Sequence, residues 1–306
     1  MLHGILVINK ERGLTSHKVV AEMRRILKQK EIGHTGTLDP EATGVLVVGL
    51  GNATRSFSYL DESAKVYRAE LIFGRVTDTQ DATGKVLAED RDAVFSLPKL
   101  EQAMGHLSGE IAQIPPMFSA VKVQGRKLYD LARQGLEVER QPRTIKVGQW
   151  KILNPGASRF GFLDRLECEI TCSKGTYIRT LIHDLGQDLG CGAHMGKLTR
   201  LKSGPFQLED AVLTDKVREL FGQGRLTEIL VSLNTALSHL TPIWIQADDL
   251  IKVKNGGKLS FEKYAAPVPT GTFVRVLNRD SDVIAIAQLT ETETHSFWQP
   301  IKVFSW

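Results

Sequence analysis

Residues 4–9 are apolar and largely β-branched, Glu11-Arg12-Gly13 has turn composition, and Val19, Val20, Met23, Ile26 and Leu27 then recur at helical spacing. Lys18, Arg24, Arg25 and Lys28 hold the other face of that helix. The pattern predicts strand, turn and helix, with Ser16 as the N-cap. After a polar loop, residues 44–49 are apolar on both sides, which predicts a short buried strand. Residues 66–73 alternate like a strand, residues 77–84 have turn composition, and residues 165–172 alternate again. Ile178, Leu181, Ile182, Leu185 and Leu189 lie at helical spacing with Gly190 past the end, and Thr176 is the predicted N-cap. Between them, residues 108–141 carry an Ile-Pro-Pro break, a turn at Gly125 and a short helix over 128–134 that Gly135 can end. This stretch reads as an exposed excursion. Strands and helices without strict β-α-β alternation predict an α+β fold with a mixed sheet.

The pattern changes near Leu240-Thr241-Pro242. Beyond it an Asn255-Gly256-Gly257 turn separates Ile243-Trp244-Ile245 from three strand-like runs, 272–277, 283–289 and 297–306. Short strands with tight turns predict a small β barrel or sandwich. The expected division is therefore 1–240 and 241–306.

Composition narrows the class. Of 306 residues, 42% are hydrophobic and 24% charged, a balance that excludes a disordered chain. No window approaches the roughly 18 consecutive apolar residues of a membrane span. The apolar start is too short for a signal peptide and has no preceding basic residue, so a cytoplasmic location is expected. Three cysteines make no disulfide framework. Cys168 and Cys172, four residues apart on a strand, would be roughly 13 Å apart, so buried thiols are expected. Cys191-Gly192-Ala193-His194 could supply half a zinc site, but no second half stands at usable spacing.

The net charge is +4, and its distribution matters more. Residues 117–146 carry Lys122, Arg126, Lys127, Arg133, Arg140, Arg143 and Lys146 against only Asp130, Glu137 and Glu139. Residues 174–206 carry Lys174, Arg179, Lys197, Arg200 and Lys202 against Asp184 and Asp188. Two basic stretches keep a phosphate backbone among the candidate partners.

Several familiar sites fail on their residues. Gly49-Leu50-Gly51-Asn52-Ala53-Thr54 imitates a dinucleotide fingerprint, but Thr54 stands where the third glycine belongs. Gly196-Lys197 lacks the rest of a phosphate loop. Residues 78–84 faintly suggest a calcium loop, yet Gln80 and Ala82 stand where acids should be, and a turn is the better reading. What remains is His34-Thr35-Gly36-Thr37-Leu38-Asp39-Pro40-Glu41-Ala42-Thr43-Gly44, a polar loop leading into a buried strand. Pro40 pushes Asp39 into an extended conformation.

That loop does not stand alone. Together with Gly4-Ile5-Leu6-Val7-Ile8-Asn9-Lys10, Gly13-Leu14-Thr15-Ser16, Lys65-Val66-Tyr67-Arg68 and Ser173-Lys174-Gly175-Thr176-Tyr177-Ile178-Arg179-Thr180, it resembles the TruB family of bacterial tRNA pseudouridine(55) synthases. Residues 77–84, Gln113-Ile114-Pro115-Pro116-Met117-Phe118-Ser119-Ala120 and Gly190-Cys191-Gly192-Ala193-His194 match as well. The motifs cover about the first two-thirds of the chain, and several ordered motifs are more specific than any one. The tail resembles a PUA-type RNA-binding domain more loosely, through Lys254-Asn255-Gly256 and the late strands.

The resemblance implies a mixed, largely antiparallel sheet with flanking helices, and isomerisation of a flipped-out uridine in the tRNA T loop without cofactor or metal. It makes Asp39 the catalytic carboxylate, which can attack the sugar or the base or stabilise an oxocarbenium-like centre. Arg179 would hold that carboxylate ionised, and Tyr67, a second catalytic residue, would stack on the base and could take the C5 proton once the base is reattached. His34 would fill the vacated space, Tyr177 and Leu198 would line the uracil pocket, and Lys10 would support the loop. Residues 117–146 would close on the RNA as a thumb, with Lys122, Arg126, Lys127 and Arg143 on phosphates. A monomer is expected, since one chain carries every catalytic group. The near-neutral tail departs from an RNA clamp and is expected to be accessory. The rivals are a non-catalytic tRNA-binding chaperone of the same fold and a nucleotide-dependent oxidoreductase built on residues 49–54.

Overall fold

A strand segment that must bury both faces has to be apolar, and residues 4–8 of the strand Gly4–Lys10 are: Ile5, Leu6, Val7 and Ile8 are all buried. The computed structural model describes residues 1–61, 64–123, 125–293 and 295–304, so residues 305 and 306 of the expected last strand lie outside the described residues. The chain folds into two compact units, one of Met1–Pro40, Gly44–Asp61 and Gly204–Trp306, the other of Glu41–Thr43 and Glu62–Ser203.

In the first unit, Gly4–Lys10 pairs antiparallel with Thr43–Leu50, Ile8 opposite Leu46 and Lys10 opposite Gly44. The helix Ser16–Leu27 buries the expected set, Val19, Val20, Met23, Ile26 and Leu27. Its cap is Thr15 rather than Ser16. The Thr15 hydroxyl accepts the N–H of Lys18 at 3.1 Å, which leaves Ser16, only 1% exposed, to be drawn inward.

A strand absent from the sequence reading, Ile32–Thr35, pairs with the end of Thr43–Leu50 and sets Gly33 opposite Gly49. The ring of Phe57 covers this glycine rung. A Cβ on Gly49 would lie 2.6 Å from the ring, and one on Gly33 would lie 3.4 Å away. Gly51 has φ +54 and backs onto the His3 ring. The glycines that imitate a nucleotide fingerprint are therefore used by neighbouring side chains.

The same unit holds the C-terminal sheet, in the order Thr241–Trp244, Phe273–Leu277, Val283–Glu291, Ser296–Val303 and Leu259–Ser260. The first pair is parallel and the rest antiparallel. This small five-stranded sheet fits a PUA-like domain. Val274, Val276, Ile284 and Trp298 fill a core of their own. Leu277, Val283, Ile286 and Phe304 join a different one, shared with Ile5, Val7, Val45, Val47 and Leu237. The C-terminal strands thus pack into the N-terminal ones.

The second unit is built on an antiparallel sheet in the order Ala193–Ser203, Lys65–Phe73, Arg165–Cys172, Arg143–Leu153 and Gly109–Gln113. The helix Ile178–Leu189 packs on Ala193–Ser203 and ends at Gly190, φ +80. Its N-cap is Tyr177, not Thr176, whose hydroxyl instead donates back to the Ser173 carbonyl at 3.0 Å. The excursion leaves the sheet after Gln113 and returns at Arg143, which stands opposite it on the last rung. Arg143 and Lys146 are therefore sheet residues, although the basic stretch read from the sequence runs through them. The excursion carries a two-residue-strand hairpin, 122–123 with 126–127, turned at Gly125 with φ +81. A short helix, Leu128–Ala132, follows it.

All three cysteines are buried. Burial pushes the Cys168 thiol up to about 12 and that of Cys172 up to about 11, which makes both unreactive. Among the described residues, no helix is long and apolar enough to cross a membrane.

Candidate active site

Lys10 closes the first strand and is fully buried. An ammonium out of water needs its three N–H groups satisfied. Its Nζ donates to the carbonyls of Leu14 at 2.7 Å, Glu11 at 3.0 Å and Pro40 at 3.1 Å. The Gly13 N–H also donates to the Pro40 carbonyl, at 2.8 Å. On the other side of Asp39, the inward hydroxyl of Ser16 accepts the Leu38 N–H at 3.0 Å and donates to the Leu38 carbonyl at 3.2 Å. Asp39 therefore sits between two anchored residues, with Leu38 itself only 3% exposed. The Asp39 side chain is half-buried. The backbone on either side of Asp39 is fixed by the strand end and the helix start.

His34 lies in the same unit on Ile32–Thr35, partly exposed. The ring of His17, from the first turn of Ser16–Leu27, meets it edge to face, centroids 5.3 Å apart at 84°.

Tyr67, Arg179, Tyr177 and Leu198 all belong to the second unit. Tyr67 is 7% exposed on the strand Lys65–Phe73, facing Ile170 on one neighbouring strand and Arg200 on the other. Leu198, also 7% exposed, stands opposite Ala69, one pleat from Tyr67 on the same face of that strand. Its carbonyl is near the Thr43 hydroxyl, which pairs with that of Thr199 at 2.9 Å.

Arg179 is not the solvated residue that its position off the apolar stripe allows. It is 5% exposed, and its guanidinium donates to the carbonyls of Thr79 at 3.1 Å and Phe118 at 3.0 Å. The Asp81 carboxylate lies 3.6 Å away. Asp81 is held in turn, since its Oδ1 accepts from the Thr83 and Thr79 hydroxyls and the Thr83 N–H at 2.6, 2.8 and 2.9 Å. Gln80 adds a bond from the Thr180 hydroxyl at 2.8 Å. The planar fork of an arginine suits this set of fixed acceptors, and a lysine's point charge does not. The turn over residues 77–84 is thus the seat of Arg179. Sequence reasoning matched it as a motif but gave it no role, because an Asp in a turn is usually read as capping its own backbone.

Gln113 was missed in the same way. It is 2% exposed and bonds Tyr177 twice, accepting the Tyr177 N–H at 2.8 Å and donating to the Tyr177 carbonyl at 3.1 Å.

The cations expected to touch RNA divide by position. Lys122 and Arg126 are exposed on the hairpin, and Arg126 donates to the Gln134 side chain at 2.8 Å. Lys127 donates to the Tyr129 hydroxyl at 3.1 Å and, with Arg133, lies against the Tyr129 ring. Arg143 is exposed on the sheet rung.

Residues 24–178 match the TruB family pseudouridylate synthase N-terminal domain, and residues 179–238 match the tRNA pseudouridylate synthase B C-terminal domain. The tRNA pseudouridine synthase B of Geobacter sulfurreducens is 44% identical over 290 residues, 94% of this chain and 93% of the relative. That of Bacillus pumilus is 39% identical over 307 residues, 100% of this chain and 98% of the relative. A chain from a crystal structure of a Cbf5-Nop10-Gar1 complex superposes with a TM-score of 0.73 at 29% identity, covering 99% of this chain and 85% of that one. The chain belongs to the TruB family of tRNA pseudouridine synthases, isomerases with the mixed α+β pseudouridine synthase fold.

Proposed function

We propose that this enzyme converts the uridine at position 55 in the T loop of tRNA to pseudouridine, working as a monomer, with Asp39 as nucleophile and no cofactor. The reaction breaks the N1–C1′ bond, turns the base and forms a C5–C1′ bond; the hydrogen on C5 leaves as a proton and the freed N1 takes one up, so the product is an isomer. Nothing is oxidised or reduced. A carboxylate can attack the electrophilic centre covalently. The observation that carries this reading is the anchoring of Leu38 and Pro40 on either side of Asp39 by Ser16 and the buried Lys10. A nucleophile fixed through its backbone gains from orientation what a mobile one loses.

In this reading Arg179 keeps the carboxylate ionised and directed, and Tyr67 stacks on the extruded base. Tyr177 and Leu198 line the uracil pocket, and His34 fills the space the base leaves. Lys122, Arg126, Lys127 and Arg143 contact phosphates, so residues 117–146 supply affinity rather than sequence choice. Residues 1–240 form the catalytic domain, and residues 241–306 are an accessory grip on the acceptor end.

The test is tritium release from tRNA carrying 5-tritiated uridine. The wild-type chain is expected to release tritium, and Asp39→Asn is expected to release none while holding tRNA about as tightly. Release by Asp39→Asn at the wild-type rate overturns the role of Asp39, and no release by the wild-type chain leaves a tRNA binder only.

A further inference from the structure

Tyr177 is the N-cap of the helix that carries Arg179, and its side chain makes no cap hydrogen bond. A helix start offers N–H groups without intrahelical partners. The Tyr177 N–H is taken by the Gln113 Oε1, and the Tyr177 carbonyl, which already accepts the Leu181 N–H at 3.0 Å, also accepts the Gln113 Nε2. One buried amide thus grips both backbone groups of one residue, as a neighbouring strand would. Gln113 is also the last residue of the sheet before the excursion, paired with Arg143 on the closing rung and followed by Ile114-Pro115-Pro116. Phe118, five residues on, gives its carbonyl to Arg179. The foot of the excursion therefore holds both Tyr177 and Arg179.

We propose that Gln113 is a positioning residue for the isomerisation: its amide sets the Tyr177 ring and the first turn of Ile178–Leu189 from the foot of the RNA-binding excursion. The inference rests on the pocket role given to Tyr177 above. A displacement of about 1 Å in a reacting geometry can cost about 100-fold in rate. Gln113→Ala removes both bonds and should lower the single-turnover rate at saturating tRNA about 10-fold or more, with the tRNA Kd within about twofold of wild type.

Gln113→Glu keeps the shape and the acceptor but loses the donor when ionised. Only its protonated form can donate to the Tyr177 carbonyl, and burial beside that carbonyl raises its pKa above the usual carboxylate range. Arg143 is its cross-strand partner, and a positive charge there works against this shift. The variant's rate relative to wild type should therefore rise as pH falls from 8 to 5.5, with no such trend for Gln113→Ala. Undiminished turnover by Gln113→Ala, an equal loss in Kd and rate, or a pH-independent ratio for Gln113→Glu overturns the proposal. Tyr177→Ala separates it from the reading beneath it. If that variant turns over normally while the residue-177 amide of Gln113→Ala exchanges hydrogen faster than in wild type, the clamp stands and the pocket role of Tyr177 falls.

Discussion

Lys10 and the hairpin cations are the same kind of side chain put to opposite uses. Lys10 is fully buried, and each of its N–H groups has a backbone carbonyl to meet. Around residues 122–127, Lys122 and Arg126 are exposed, Arg126 bonds the Gln134 side chain and Lys127 the Tyr129 hydroxyl. A buried cation with fixed acceptors cannot leave them without breaking several charge-assisted hydrogen bonds at once, so its work is to hold backbone. A solvated cation keeps its mobility and its hydration, and can exchange either for a phosphate. Charge counted along the sequence does not separate these cases; the surroundings of each nitrogen do.

The contrast can be tested from its strongest point down. Lys10→Met should destabilise the chain by about 3 kcal/mol, read by urea unfolding, since three carbonyls lose a charged donor. Tritium release should fall further than the folded fraction does, because Pro40 loses its tie. Wild-type stability would show that the ammonium holds nothing. Arg126→Ala with Lys127→Ala should change stability by no more than about 0.5 kcal/mol. The same pair should weaken tRNA binding and flatten the plot of log affinity against log salt by about 1 to 2 in slope. An unchanged slope would remove the hairpin from the RNA contact.

The smallest effect belongs to the buried thiols. Cys168 and Cys172 titrate higher in the fold than the 9.0 of an ordinary thiol, so the fold favours their protonated form. The stability they contribute is complete below pH 9 and is lost as pH climbs towards about 11 and 12. At pH 9 the loss is about 0.4 kcal/mol per thiol. Serine at both positions should remove that share of the alkaline decline.

Period and composition made some elements legible and hid others. The helices Ser16–Leu27 and Ile178–Leu189 and the strand Arg165–Cys172 were readable because their apolar residues keep one period from end to end. Ala193–Ser203 was not. Its register shifts between Met195 and Leu198 and again between Arg200 and Lys202, so alternation never runs long enough to show. Arg143–Leu153 shifts between Val147 and Trp150 and was hidden for the same reason. Ile32–Thr35 is short and polar, a strand only because Thr43–Leu50 offers it an edge. In the candidate site, Asp39, Tyr67 and Arg179 stood out through their motifs. The groups that steady their neighbours, Ser16, Asp81 and Gln113, did not, since a small polar residue announces its partner only once the chain has brought the two together.

The ring of Phe57 over the Gly33–Gly49 rung has a consequence for His34, the next residue on that strand. A flat aromatic plate here needs Gly49 bare beneath it and leaves room for no more than a Cβ at Gly33. Sliding the short strand by one place would push a methylene or an imidazole under the plate. The pair of hydrogens left by two glycines thus acts as a keyway, and it sets which way the histidine beside it points.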